Sequence, residues 1–104
     1  DFIYVEDVAE ANLHALQAEV SDRFYNVGTG VQTSVKELCD TILRLKDSGL
    51  KVTYKPYPPD DARQFVKNRI GSTQRAEKEL GFAAQYNLQE GLNKLIRWRN
   101  GEPE

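Results

Sequence analysis

The 104-residue sequence has no methionine, one cysteine, one tryptophan and one histidine, and its four prolines are Pro56, Pro58, Pro59 and Pro103. A single thiol, Cys39, excludes an internal disulfide and points to a reducing compartment, the cytoplasm. One His and one Cys supply neither a metal cluster of ordinary spacing nor a paired Cys-His nucleophile, so no metal site and no catalytic residue is assigned. No apolar run is long enough to span a bilayer, and no signal-peptide pattern opens the chain. The net charge of -2 lacks the basic excess of a nucleic-acid binder. The missing methionine has a different meaning. A translated protein needs a starting Met, and Asp1-Phe2-Ile3-Tyr4-Val5 already reads as mid-fold, so the chain is read as a fragment of something longer.

What is present is the composition of an ordinary globular domain, 39% hydrophobic and 29% charged. The length admits one domain, residues 1–104, with one modest core. Charge is uneven. Six bases stand against Asp60 and Asp61 between residues 51 and 75, about +4, while the remainder sums to about -6. Such asymmetry fits an anionic ligand near the middle of the chain or, equally, clumped surface charge.

Periodicity gives an α/β reading with about four helices and three or four short strands. Phe2–Val5, Arg23–Val27 and Val52–Tyr54 read as strands. Asp7 with Glu10 reads as a capping box ahead of a helix carrying Val8, Ala11, Ala15 and Leu16. Ser34 with Glu37 is a second box, opening a helix striped by Val35, Leu38, Cys39, Ile42 and Leu45, with Cys39 a core thiol. Ser72 begins a short helix that Gly81 terminates. Asn87 with Glu90 caps a last helix whose Leu88, Leu92, Leu95 and Ile96 face inward, with Trp98 covering the edge of the core. His14 falls on a polar helix face.

The stretch "FYNVGTGVQTSVKEL" sets an extended run, a Gly-Thr-Gly turn and a helix start in the order used to cradle phosphate. The details disagree with a dinucleotide loop. Thr33 stands near the place of the third glycine, the cap at Ser34 is displaced four residues from Gly30, and neither a P-loop lysine nor a strand-terminal acid follows. The turn is read as structural and no cofactor-binding residue is assigned.

Taken together, four segments resemble the carboxyl-terminal part of the extended short-chain dehydrogenase/reductase family, the NAD-dependent nucleotide-sugar epimerases and dehydratases. They are "DFIYVEDVAEANLHAL", "FYNVGTGVQTSVKEL", "STQRAEKELGF" and "LQEGLNKLIRW", in order and at familiar spacing over nearly the whole chain. The resemblance implies a two-lobed, Rossmann-type enzyme in which this chain is most of the smaller, substrate-binding lobe. The amino-terminal NAD-binding lobe and its Tyr-x-x-x-Lys pair are absent, so the parent would use NAD while this fragment binds none and is inactive alone. The parent would be a cytoplasmic homodimer acting on a UDP- or dTDP-sugar by transient oxidation at C4. Within the family a 4,6-dehydratase is the alternative; outside it, a non-catalytic binding module.

The family's P-x-R-x-G-D loop aligns with Pro56 to Asp61. Asp61 matches the acid that accepts ribose hydroxyls, while Pro58 replaces the phosphate-binding arginine. Residues 61–69, if extended, place Asp61, Arg63, Phe65, Lys67 and Arg69 on one face, with Ala62, Val66 and Ile70 on the core side. Arginine's planar fork suits phosphate oxygens. Substrate-binding roles are therefore expected for Asp61 (hydroxyls), Arg63 (diphosphate), Phe65 (ribose or base) and Arg69 (a lesser phosphate contact). An exposed edge strand with ordinary surface charge is the bland alternative.

Overall fold

The structure, a computed structural model, describes residues 1–56 and 68–103. Four helices follow one another, α1 (Val5–Gln17), α2 (Val35–Leu45), α3 (Gln74–Leu80) and α4 (Leu88–Arg99), and α1 packs on α3 while α2 packs on α4. The four expected helices are present. No strand occurs among the described residues. Residues 23–27 and 52–54 lie outside regular structure, and Val5 opens α1 instead of closing a strand. Apolar runs promise strands only when a ladder partner lies alongside.

Helix entry follows local chemistry at two of the four sites. Ser34 and Glu37 exchange bonds, Ser34 Oγ accepting from Glu37 N at 3.1 Å and Glu37 Oε2 from Ser34 N at 2.7 Å. Asn87 and Glu90 do the same at 2.8 and 2.9 Å. These reciprocal bonds satisfy amides that the first helical turn leaves open. Gly81 ends α3 at φ 66°, a left-handed conformation that an L side chain resists. After α2 the positive φ, 48°, falls on Asp47 and not on Gly49.

The Asp7–Glu10 box does not form. Helix α1 starts two residues earlier, with Tyr4 as its cap residue, and the Asp7 side chain is used elsewhere. The core is small: Ala11, Ala76, Leu80 and Phe82 are buried, with Ile3, Ala18, Val20, Tyr25 and Ala84 packed around them. Small side chains at Ala11 and Ala76 suit the close crossing of α1 and α3. The inward face of α1 runs through Asp7, Ala11 and His14 and continues to Ala18 just past its end, whereas Leu16, read as apolar-stripe, is 82% exposed. Cys39 is half-buried on an α2 that buries no residue fully, and Trp98 is 65% exposed instead of closing the core.

Candidate functional site

The Gly-Thr-Gly turn does hold an anion, and the anion is the chain's own Asp1. Asp1 Oδ1 accepts from the Thr29 amide at 3.0 Å and from Thr29 Oγ1 at 2.7 Å, and Oδ2 accepts from the Gly30 amide at 2.8 Å. Two successive backbone N–H groups converging on a carboxylate form a nest. Each glycine has a separate reason. Gly30 sits at φ +75°, and a Cβ on Gly28 would lie 2.7 Å from Asp1 Oδ2. The sequence displays the glycines but not their ligand, which lies 28 residues away.

Beside this nest opens a cleft of about 780 Å³, lined by Asp1, Gln32, Ser34, Glu37, Asn68 and Arg69 among others. The Asp1 nitrogen donates to the Arg69 carbonyl at 3.1 Å, and Gln32 Nε2 reaches Asn68 Oδ1 at 3.5 Å. Arg69 is exposed, and its guanidinium makes no ion pair with a described residue, unlike Arg23 and Arg75, which both face Glu79. Of the four residues expected to bind substrate, Arg69 is thus on the wall of a cleft. Asp61, Arg63 and Phe65 lie outside the described residues. Ile70, expected on the core side, is 48% exposed.

Sequence reasoning passed over Asp1, Gln32 and Asn68. No local signal marks the amides, but an aspartate ahead of an apolar run with a glycine turn downstream is a pattern that a nest would explain.

A second carboxylate works in the same way. Asp7 is fully buried, its Oδ1 accepting from Gln85 N at 2.9 Å and its Oδ2 from Tyr86 N at 3.1 Å, which anchors the loop between α3 and α4 onto α1. His14 Nδ1 lies 2.9 Å from the Leu80 carbonyl, and since a carbonyl only accepts, that nitrogen carries the proton. His14 is therefore a brace between α1 and the end of α3 instead of a solvent-facing polar residue.

One ionic cluster joins α1 to α4. Lys94 Nζ is 3.0 Å from Glu6 Oε2, 3.3 Å from Tyr86 Oη, and 4.8 Å from the centroid of the Tyr86 ring. The hydrogen bond from Lys94 holds the Glu6 carboxyl below its ordinary range, and the bond to Glu6, then that to Tyr86, raises the Lys94 ammonium above its own. Elsewhere, desolvation, followed by the charge of Glu79, raises the Tyr25 hydroxyl. Among the described residues no group of His, Cys, Asp and Glu could hold a metal ion, and no helix is long and apolar enough to cross a membrane.

Comparison with known proteins gives these features a setting. No protein-family model matches the chain. Individual relatives do. It is 33% identical over 108 residues to a bifunctional UDP-glucose 4-epimerase and UDP-xylose 4-epimerase of Arabidopsis thaliana, covering 99% of this chain and 30% of that protein. It is 34% identical over 110 residues to a UDP-glucose 4-epimerase of Pisum sativum, with the same coverage of 99% and 30%. Among solved structures, a UDP-glucose 4-epimerase of Thermotoga maritima, determined with UDP-glucose, superposes with a TM-score of 0.85 at 29% identity, over 97% of this chain and 31% of that one. The Bordetella bronchiseptica enzyme WbmF, determined with NAD+ and UDP, gives 0.79 at 31% identity, over 97% and 29%. The chain is thus a homologue of the NAD-dependent epimerases that share a Rossmann-type architecture. More narrowly, its relatives are UDP-glucose 4-epimerases, and it spans about 30% of their length, in their carboxyl-terminal part.

The WbmF structure holds NAD+ as well as UDP. In this chain the Thr29 and Gly30 amides are engaged by Asp1, and no tyrosine is followed four residues later by lysine.

Proposed function

We propose that this chain is the substrate-gripping lobe of a nucleotide-sugar 4-epimerase, holding the nucleotide diphosphate of a UDP- or dTDP-sugar, while NAD and the proton-moving residues belong to sequence outside it. The observation that supports this most is the alignment of 99% of the chain with 4-epimerases of UDP-sugars at 33–34% identity. The basic middle of the sequence and Arg69, on a cleft wall and without an ion-pair partner among the described residues, agree with it. In this reading Asp61 accepts hydroxyl hydrogen bonds from the ribose, Arg63 takes the diphosphate in place of the arginine lost at Pro58, Phe65 packs on ribose or base, and Arg69 adds a second cation. Converging guanidinium groups bind phosphate oxygens with paired, charge-assisted hydrogen bonds, the strongest available to a neutral-pH side chain. The epimerase reading is placed ahead of a 4,6-dehydratase because the relatives above act as epimerases. A cytoplasmic homodimer is the assembly that goes with it.

Titrating the intact protein calorimetrically with UDP tests the assignment. Arg63→Ala is expected to weaken UDP about tenfold or more, the scale of one lost charge-assisted contact. Unchanged affinity would remove Arg63 from the site.

A further inference from the structure

We infer that Asp1 is a positioning residue for nucleotide binding, acting through the segment that carries Arg69. The inference rests on the functional reading above and adds a residue that never touches the ligand. Its basis is a closed ring of hydrogen bonds between three parts of the chain that are far apart in sequence. The Asp1 carboxylate fixes Thr29 and Gly30 with three bonds of 2.7 to 3.0 Å. Thr29 Oγ1, while donating to Asp1, accepts from the Val31 amide at 3.1 Å, so the same carboxylate sets the direction in which the chain leaves the turn. The next residue, Gln32, reaches Asn68, and the Asp1 backbone nitrogen reaches the Arg69 carbonyl. The ring closes on Asp1 from both sides.

The lever is Arg69. Its side chain is exposed and unpaired among the described residues, so no side-chain contact there orients it. Among the described residues the contact that holds it is on its backbone, where the Asp1 nitrogen donates to its carbonyl. A guanidinium whose main chain is pinned has only its side-chain rotamers to order on phosphate; one on an unpinned segment must have backbone and side chain both ordered when the ligand arrives, which weakens binding further. Gly28 belongs to the same device, because a side chain there would displace the carboxylate from its nest.

The test measures UDP affinity by calorimetry, and Tm, for the intact protein and its Asp1→Ala, Thr29→Val and Gly28→Ala variants, with Asp7→Asn as the control. Asp7 braces a different loop, so its loss lowers Tm without loosening the Asp1 ring. The expected result is a rise in Kd of about tenfold or more for the three ring variants, with Asp7→Asn at wild-type Kd despite an equal or larger fall in Tm. The Asp1→Ala, Thr29→Val double variant should lose little more than the worse single one, since both break one linkage. Should Asp1→Ala fail to fold, Thr29→Val, which removes a single hydroxyl, carries the test by itself. A Kd that stays put in Thr29→Val and Asp1→Ala, or one that moves equally in Asp7→Asn, overturns the inference and spares the functional reading. A wild-type protein that binds neither UDP nor dTDP overturns both.

Discussion

Asp1 and Asp7 stand six residues apart and do the same work. Each turns a carboxylate toward two successive backbone amides, those of Thr29 and Gly30 in one case and of Gln85 and Tyr86 in the other. The partner loops are 28 and 78 residues downstream. Two short loops that lack helical or ladder bonding have their donors satisfied by anions presented at the head of α1. For the buried Asp7 the consequence is measurable. Asp7→Asn keeps the shape but sets an NH₂ group against one of the two amide donors, leaving a buried N–H without an acceptor. Hydrogen bonds to charged groups contribute about 1.5–3 kcal/mol, so a loss of about 2–3 kcal/mol is expected, read as a lower urea midpoint with an unchanged slope. A change below about 0.5 kcal/mol, the ordinary range of a surface substitution, would mean that the Asp7 bonds are not made in solution. These residues also show where reading the sequence stops. D-x-x-E at Asp7 matches a capping box as well as Ser34 and Asn87 do, because the local pattern is the same; what differs is a loop far along the chain that competes for the carboxylate and wins.

At the scale of elements, what local bonding decides could be read in advance, and what needs a distant partner could not. The boxes at Ser34–Glu37 and Asn87–Glu90 and the terminating Gly81 are four-residue matters, and all three are found. The strands are a matter of neighbours, and the buried face of α1 includes an aspartate and a histidine that an apolar count passes over. For the candidate site, Arg69 stands out in the sequence as a cation in a basic stretch, whereas the ring of bonds holding its backbone does not. The link between α1 and α4 has its own signature in pH. Glu6 is bonded by Lys94 and its folded-state pKa lies below the ordinary 4.5. A carboxyl lowered by folding stabilises the native state fully above its unfolded pKa, and that contribution disappears as pH falls through the lower, folded value. Thermal melts of wild type and Glu6→Gln are therefore expected to differ at pH 6–7 and to converge as pH drops below about 4. Curves that remain parallel down to pH 3 would show that the Glu6–Lys94 bond carries no differential proton affinity.

The whole molecule leaves much surface open. Its accessible area is 8851 Å², whereas a compact monomer of this mass has about 5,900 Å². Its dimensions, 49 × 42 × 19 Å, are those of a slab. Phe24 is 91% exposed, and an apolar groove of about 270 Å³ lies where Phe2 and Val5 meet Leu38 of α2 and Leu88, Leu92 and Leu95 of α4. Four buried apolar residues among those described are a small return for ordering the chain, each residue of which gives up about 1–2 kcal/mol of backbone entropy. The proposed organisation, a lobe completed by sequence outside this chain, accounts for that shortfall, because a body covering about 2,000 Å² or more is what obligate contacts bury. The 104 residues produced alone are then expected to melt over a broad range and to brighten the dye ANS, which reports accessible apolar surface. The longer protein should melt cooperatively, at least about 10 °C higher, and leave the dye dark. Since about 1 kcal/mol moves Tm by about 4–8 °C in a domain of this size, a difference of that order requires only a few kcal/mol from the contact between lobes. A sharp, dye-silent transition for the isolated chain, at the temperature of the longer protein, would mean that these 104 residues complete their own core.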